Sequence, residues 1–161
     1  GRTGEETEKM KNKLLLGLLS LGPIVLGLGY NLLLGANIAF SIVVYLVPIL
    51  VLAFWFWTGS LFAAGVGRFP LSLLLAHFPG LLSLLLYFWQ FHWVEESARN
   101  AILAPASQMF TSGVSLFVAP AVLLTDGQTI TQTTATVTQV LGLLFLGVVF
   151  SLGYFWKKKQ Q

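Results

Sequence analysis

The chain has 161 residues, of which 56% are hydrophobic and only 9% charged, with a net charge of +3 and a mean hydropathy of +0.81. Between Leu14 and Trp156 the only charges are Arg68, Glu95, Glu96, Arg99 and Asp126, too few to cover a water-soluble domain, whose charged fraction is about 25%. The lysines lie at the two ends and form no basic-aromatic patch, which argues against a nucleic-acid partner. Without cysteine there is no disulfide, thiolate nucleophile or cysteine metal site.

Residues 1–9, GRTGEETEK, are polar and aperiodic, and Met10 followed by Lys-Asn-Lys resembles a native start. The opening stretch is therefore expected to be an expression remnant or a disordered tail, and residues 10–161 a single transmembrane domain. Leu14 to Leu34 is an uncharged run of spanning length. It begins like a secretory signal, with Lys11 and Lys13 ahead of a leucine-rich core, but it outruns a signal core and reads as the first transmembrane helix. Gly17, Gly22, Gly27 and Gly29 would let neighbouring backbones approach closely in a bilayer.

Gly35-Ala36-Asn37 reads as a tight turn, with Gly35 suited to a left-handed position after the helix and Asn37 to an N-cap. The second span is expected from about Ile38 to Trp57, with Trp55 and Trp57 marking an interface and the apolar SLFAAGV segment able to extend it. The third runs from about Leu71 to Trp93. Pro23, Pro48 and Pro79 fall one to a span, at similar depth. Each leaves the carbonyl four residues back without its usual donor, so those carbonyls need a neighbouring partner, water or a cavity.

Ala101 to Leu124 is uncharged but interrupted by Pro105, Thr111-Ser112-Gly113 and Pro120. Thr125 to Thr136 is Thr/Gln-rich and reads as a loop, and Val137 to Trp156 as the closing helix, followed by Lys157, Lys158 and Lys159. The positive-inside rule arbitrates. Four spans put Lys11, Lys13, Arg68 and the lysine triplet on one side, whereas five would strand the triplet outside. The expected fold is all-α: an integral bundle of four transmembrane helices, with a re-entrant or interfacial helical hairpin between the third and fourth. Both termini are expected on the cytoplasmic side of the plasma membrane.

Three places could carry chemistry. His77 is the one ionisable side chain well inside a span. It reads either as a functional group beside Pro79 on a transport path or as a neutral histidine hydrogen-bonded to a neighbouring helix. Ser112, at the break in the hairpin, is the second candidate for such a path. The third is the polar end of helix three: if the helix continues, His92, Glu95, Glu96 and Arg99 share one face. That face reads either as a polar cap at the interface or as an outer-interface site with base or ligand groups. Its pattern departs from H-x-x-E-H because position 96 is Glu. Glu95-Glu96-Ser97-Ala98-Arg99 is one residue short of the EExxxR motif of intramembrane CAAX-type proteases, and no histidine follows. No phosphate loop, GxSxG or dinucleotide fingerprint occurs, so neither cofactor nor metal is expected.

The function these features favour is assembly in the lipid bilayer, with copies of itself or a partner membrane protein, as a transport or channel component or accessory subunit. The alternative is a membrane-embedded hydrolase or transferase using His92, Glu95, Glu96 and Arg99.

Overall fold

The computed structural model describes residues 1–126 and 131–161. Its elements are α1 (Arg2–Ser20), α2 (Gly22–Gly35), α3 (Phe40–Gly65), α4 (Phe69–Phe88), α5 (Leu103–Ala106), α6 (Met109–Ser112), α7 (Ser115–Asp126) and α8 (Gln132–Gln160). A π-helical turn over Trp89–Trp93 extends α4, and a single 3₁₀ turn covers Glu96–Ala98. Among the described residues four helical stretches are long and apolar enough to cross a membrane: Arg2–Gly35, Phe40–Gly65, Phe69–Trp93 and Gln132–Gln160. Their outward faces agree, because Leu32, Ile42, Leu85, Leu144 and Leu152 are each about 60% exposed, where a soluble bundle would carry charge.

Several boundaries differ from those expected. The polar opening residues are helical from Arg2, continuous with the first span. That span is broken at Leu21, where Pro23 starts a new helix and the cap N–H groups turn back to the Leu18 and Leu19 carbonyls. The turn before α3 also differs. Gly35 stays helical, and the left-handed residues are Asn37 and Ala39, at φ 56° and 45°. The second span continues to Gly65, so Trp55 is fully buried in the core rather than at an interface. The closing helix starts at Gln132 instead of Val137. Its first turn is capped by Thr131 Oγ1, which accepts from the Thr134 N–H at 3.2 Å. Thr136 and Thr138 bond back to the carbonyls of Gln132 and Thr134, so polarity there marks self-satisfied helix, not loop. Residues 127–130 of the expected loop lie outside the described residues.

Consecutive long helical stretches run antiparallel, which leaves α3 and α8 parallel, both running toward the same end. Leu16 meets Gly65 and Phe69 stacks near Phe155 at the end that carries Lys11, Lys13, Arg68 and Lys157, the basic end. Tyr30 reaches Val44 and His92 reaches Thr136 at the far end. The closest pairing is α3 with α8: a Cβ on Gly59 would fall on the Phe150 carbonyl, and one on Gly153 on the Phe56 carbonyl. Two glycines thus bring the helix backbones together, and Trp55, Phe62, Leu146, Phe150 and Tyr154 fill the core around the seam.

Residues 103–126, the stretch expected as a hairpin and still given that label, are a broken helical segment, interrupted after Ala106 and again after Ser112. It is packed among the spans, with Ala104, Ser107, Phe110, Thr111, Val114, Val118 and Val122 buried. Its turn meets Gly27 of α2, Val51 of α3, Gly80 of α4 and Thr111's neighbour Gly142 of α8. Those four positions lie roughly 12–20 Å along their helices from the far end.

Candidate functional site

The hairpin fits where glycines make room. Gly27 lies against the Met109 carbonyl and the Ser112 hydroxyl, Gly80 against the Phe110 ring, and Gly142 against the Thr111 side chain, while Gly113 itself faces Val51. A methyl group at any of the first three would meet the hairpin. Gly22, Gly27 and Gly142 are therefore occupied within the chain; Gly22 faces Phe54. Gly17, Gly29 and Gly147 have nothing within 4 Å of a notional Cβ.

This seating leaves a cavity of about 300 Å³ between α2, the hairpin and α8. Asn31 of α2 closes one wall: its Nδ2 donates to the Gly27 carbonyl at 2.7 Å and to Ser112 Oγ at 3.0 Å. Gln139 of α8 closes another, buried and donating to the Ser107 carbonyl at 2.8 Å. Ser115 Oγ donates to the Ser112 carbonyl at 2.8 Å, and Thr134 and Thr138 complete the α8 wall. Two lining groups, the Gln108 side-chain amide and the Thr111 hydroxyl, have no hydrogen-bond partner among the described residues. None of the described residues lining the cavity is ionisable. The wall offers amide and hydroxyl donors and acceptors without charge. Such a wall suits a neutral hydrogen-bonding guest, and the volume stands at the small end of ligand cavities, about 300–1,000 Å³.

His77 sits elsewhere, buried at the centre of the bundle. Its Nε2 takes the Trp55 indole N–H at 3.2 Å, and its Nδ1 faces the Leu73 carbonyl at 2.8 Å. An indole N–H only donates and a carbonyl only accepts, so the proton sits on Nδ1 and the ring is neutral. Trp55, Phe110 and Phe150 pack around it with ring centroids 5.2–6.4 Å away. Pro79 is internal to α4, and its carbonyl accepts from Ser83 Oγ at 2.9 Å. Of the residues singled out for a transport path, Ser112 lines the polar cavity, while His77 and Pro79 do not.

The polar end of α4 does not form the shared face. The helix widens into the π turn, the Val94 N–H returns to the Trp89 carbonyl, and the backbone is extended at Val94 and Glu95. His92 turns to α8, with Nε2 2.9 Å from Thr136 Oγ1, which Tyr87 also contacts at 3.1 Å. Arg99 Nε donates to the Gln90 carbonyl at 3.0 Å, and its guanidinium lies 4.5 Å from the Phe91 ring centroid. Glu95 and Glu96 are exposed and make no ion pair among the described residues, so the Glu95–Arg99 pairing available to a straight helix is not formed. The organiser here is a residue the sequence reading passed over: buried Gln90, whose Oε1 accepts the Asn100 N–H at 2.8 Å.

Asn31, Gln108, Thr111 and Gln139 were likewise not singled out. Their signal is present but diffuse: uncharged amides and hydroxyls inside otherwise apolar runs, with Thr134 and Thr138 four residues apart on one helical face. Compared with family models, curated protein sequences and solved structures, the chain matches none.

Proposed function

We propose that the chain is a membrane transport component that binds a small, uncharged, hydrogen-bonding solute in the cavity between α2, the hairpin and α8. The observation that carries this is a polar wall, uncharged among the described residues, on which the Gln108 amide and the Thr111 hydroxyl have no partner there, while the buried polar side chains in the rest of the core, Ser72 apart, are hydrogen-bonded. In this reading the hairpin enters the bilayer from the far side. The covering of its interrupted backbone by four spans supports that, since non-helical backbone at such depth needs protein or water around it. The gathering of Lys11, Lys13, Arg68 and the Lys157–Lys159 triplet at one end supports cytoplasmic termini in the plasma membrane. The open Gly17 and Gly29 faces remain for assembly with a second copy or a partner subunit.

The natural lack of cysteine makes the test direct. In intact cells, Ser112→Cys should react with a hydrophilic thiol reagent, and small polyols or amides should slow the reaction while salts at equal osmolarity do not. Leu144→Cys, on the outward face of α8, should stay unreactive. An inert Ser112→Cys in a folded protein, or one indifferent to neutral solutes, would overturn the reading. Reporter fusions after Lys13 and Lys159 should read cytoplasmic and one at Asn100 external; an external C-terminus defeats the topology.

A further inference from the structure

The α4–α8 groove faces outward, away from the polar cavity. It encloses about 650 Å³ and runs from Pro70 and Phe155 at the basic end, past Ser151 and Gly147, to Leu81 beside His77. Its walls are apolar apart from two satisfied groups: neutral His77, and Ser151, whose Oγ donates to the Gly147 carbonyl at 2.6 Å. Pro70 to Leu81 is roughly 16 Å of helix, close to the depth of one leaflet's hydrocarbon, which is half of about 30 Å.

The mouth is different. Arg68 caps α4 immediately beside the groove, and Phe69 packs against Tyr154 and Phe155 at 5.3 and 4.7 Å, which ties the α4 start to the α8 end. Lys158 Nζ lies 5.8 Å from the Tyr154 ring centroid, and Lys157 and Lys159 flank it. None of these four cations makes an ion pair among the described residues. The acidic Glu5, Glu6 and Glu8 lie further out along α1, beyond Lys11 and Lys13, and Glu5 is already paired with Lys9.

We propose that this groove holds one acyl chain of an anionic phospholipid from the basic-side leaflet, with the headgroup phosphate between Arg68 and the Lys157–Lys159 cluster. Charge complementarity at the mouth selects the occupant. A bare apolar groove would take any chain, but one that opens under four unpaired cations at headgroup level favours a negative lipid. The Gly147 surface, with nothing within 4 Å, is the floor on which the chain lies.

Native mass spectrometry of the full chain in detergent, with added phosphatidylglycerol or phosphatidylcholine of identical chains, tests this. One phosphatidylglycerol should be retained over phosphatidylcholine by roughly 5-fold for each cation engaged. Gly147→Trp fills the groove from α8 and Leu74→Trp from α4, and either should cut retention of both lipids; Gly147→Ala should not. Arg68→Gln together with Lys157→Gln, Lys158→Gln and Lys159→Gln should bring phosphatidylglycerol down to the phosphatidylcholine level. Circular dichroism and a monodisperse elution profile show that each variant is folded, and whichever tryptophan variant folds decides the outcome. Equal retention of the two lipids overturns the proposal, as does unchanged retention in a folded tryptophan variant. So does a wild-type dimer that the tryptophan variants convert to monomer, which would make a second copy the occupant.

Discussion

Trp55 donates its indole N–H to Nε2 of His77 across 3.2 Å, joining the middle of α3 to α4 inside an otherwise apolar core. Each side chain answers the other's need, since a buried indole N–H without an acceptor is costly. His77→Leu leaves that N–H unpaired and should destabilise the protein by about 1–3 kcal/mol. Trp55→Phe should also destabilise. The double variant should cost less than the sum by about 1 kcal/mol, because the second change removes a group the first has already orphaned. Unfolding in detergent micelles measures the cycle; strict additivity would mean the contact carries no energy.

The α3–α8 seam gives a second prediction. At Gly59 and Gly153 a side chain would meet a backbone carbonyl that cannot step aside. Gly59→Leu or Gly153→Leu should separate the helices and cost at least about 1–3 kcal/mol, seen as loss of monodisperse protein. Gly29→Ala, facing open space, should be tolerated. Equal tolerance at all three sites would contradict the seam.

The contrast between these glycines shows what was legible in the sequence. Run length and charge placement marked four apolar spans, because a bilayer imposes length and excludes charge regardless of partners. Which glycine touches what is not periodic information. Gly142 and Gly147 look alike in sequence, yet one seats the hairpin and the other is open. The polar end of α4 misled for a related reason: helical spacing places His92, Glu95, Glu96 and Arg99 on one face only while the helix stays regular, and the π turn ends it. The Thr-rich segment before Val137 misled through composition, since a threonine that bonds to its own helix looks the same in sequence as one in a loop.

Pro48 denies the Val44 carbonyl its helical donor, and the Tyr30 hydroxyl supplies a replacement from α2 at 3.2 Å. Tyr30→Phe should therefore destabilise by about 1–2 kcal/mol on its own. On a Pro48→Ala background, where residue 48 regains its N–H, the same change should cost clearly less. The comparison is again a thermal or denaturant cycle, and an undiminished cost would sever the link between the two residues.

Ala39 is held at φ 45°, in the left-handed region that a side chain disfavours by about 1–2 kcal/mol. Ala39→Gly relieves that strain in a connection of few residues, partly offset by the extra freedom of glycine in the unfolded chain. A raised melting temperature is expected. Asn37→Gly should give a smaller gain, because asparagine already tolerates its φ of 56°. A fall in stability for Ala39→Gly would count against this turn.

The last prediction separates the organiser of the far end from its ornaments. Gln90 is 2% exposed; its side-chain oxygen accepts the Asn100 N–H and its backbone carbonyl accepts Arg99 Nε. Asn100 Oδ1 in turn accepts the N–H groups of Ile102 and Leu103, so the chain entering the hairpin hangs from Gln90 through one residue. Gln90→Leu keeps the volume but leaves the Asn100 N–H without its acceptor, at a cost of about 1–3 kcal/mol. The loss should appear as faster proteolysis between Asn100 and Ala106 as well as a lower melting temperature. Arg99→Lys should give a partial version, since an ammonium group cannot reproduce the flat guanidinium over Phe91. Glu96→Gln should do nearly nothing to either readout, because that carboxylate is exposed and unpaired among the described residues. If Glu96→Gln instead abolishes an activity while Gln90→Leu spares it, the acidic pair is a site, and the outer-interface enzyme reading displaces the transport one.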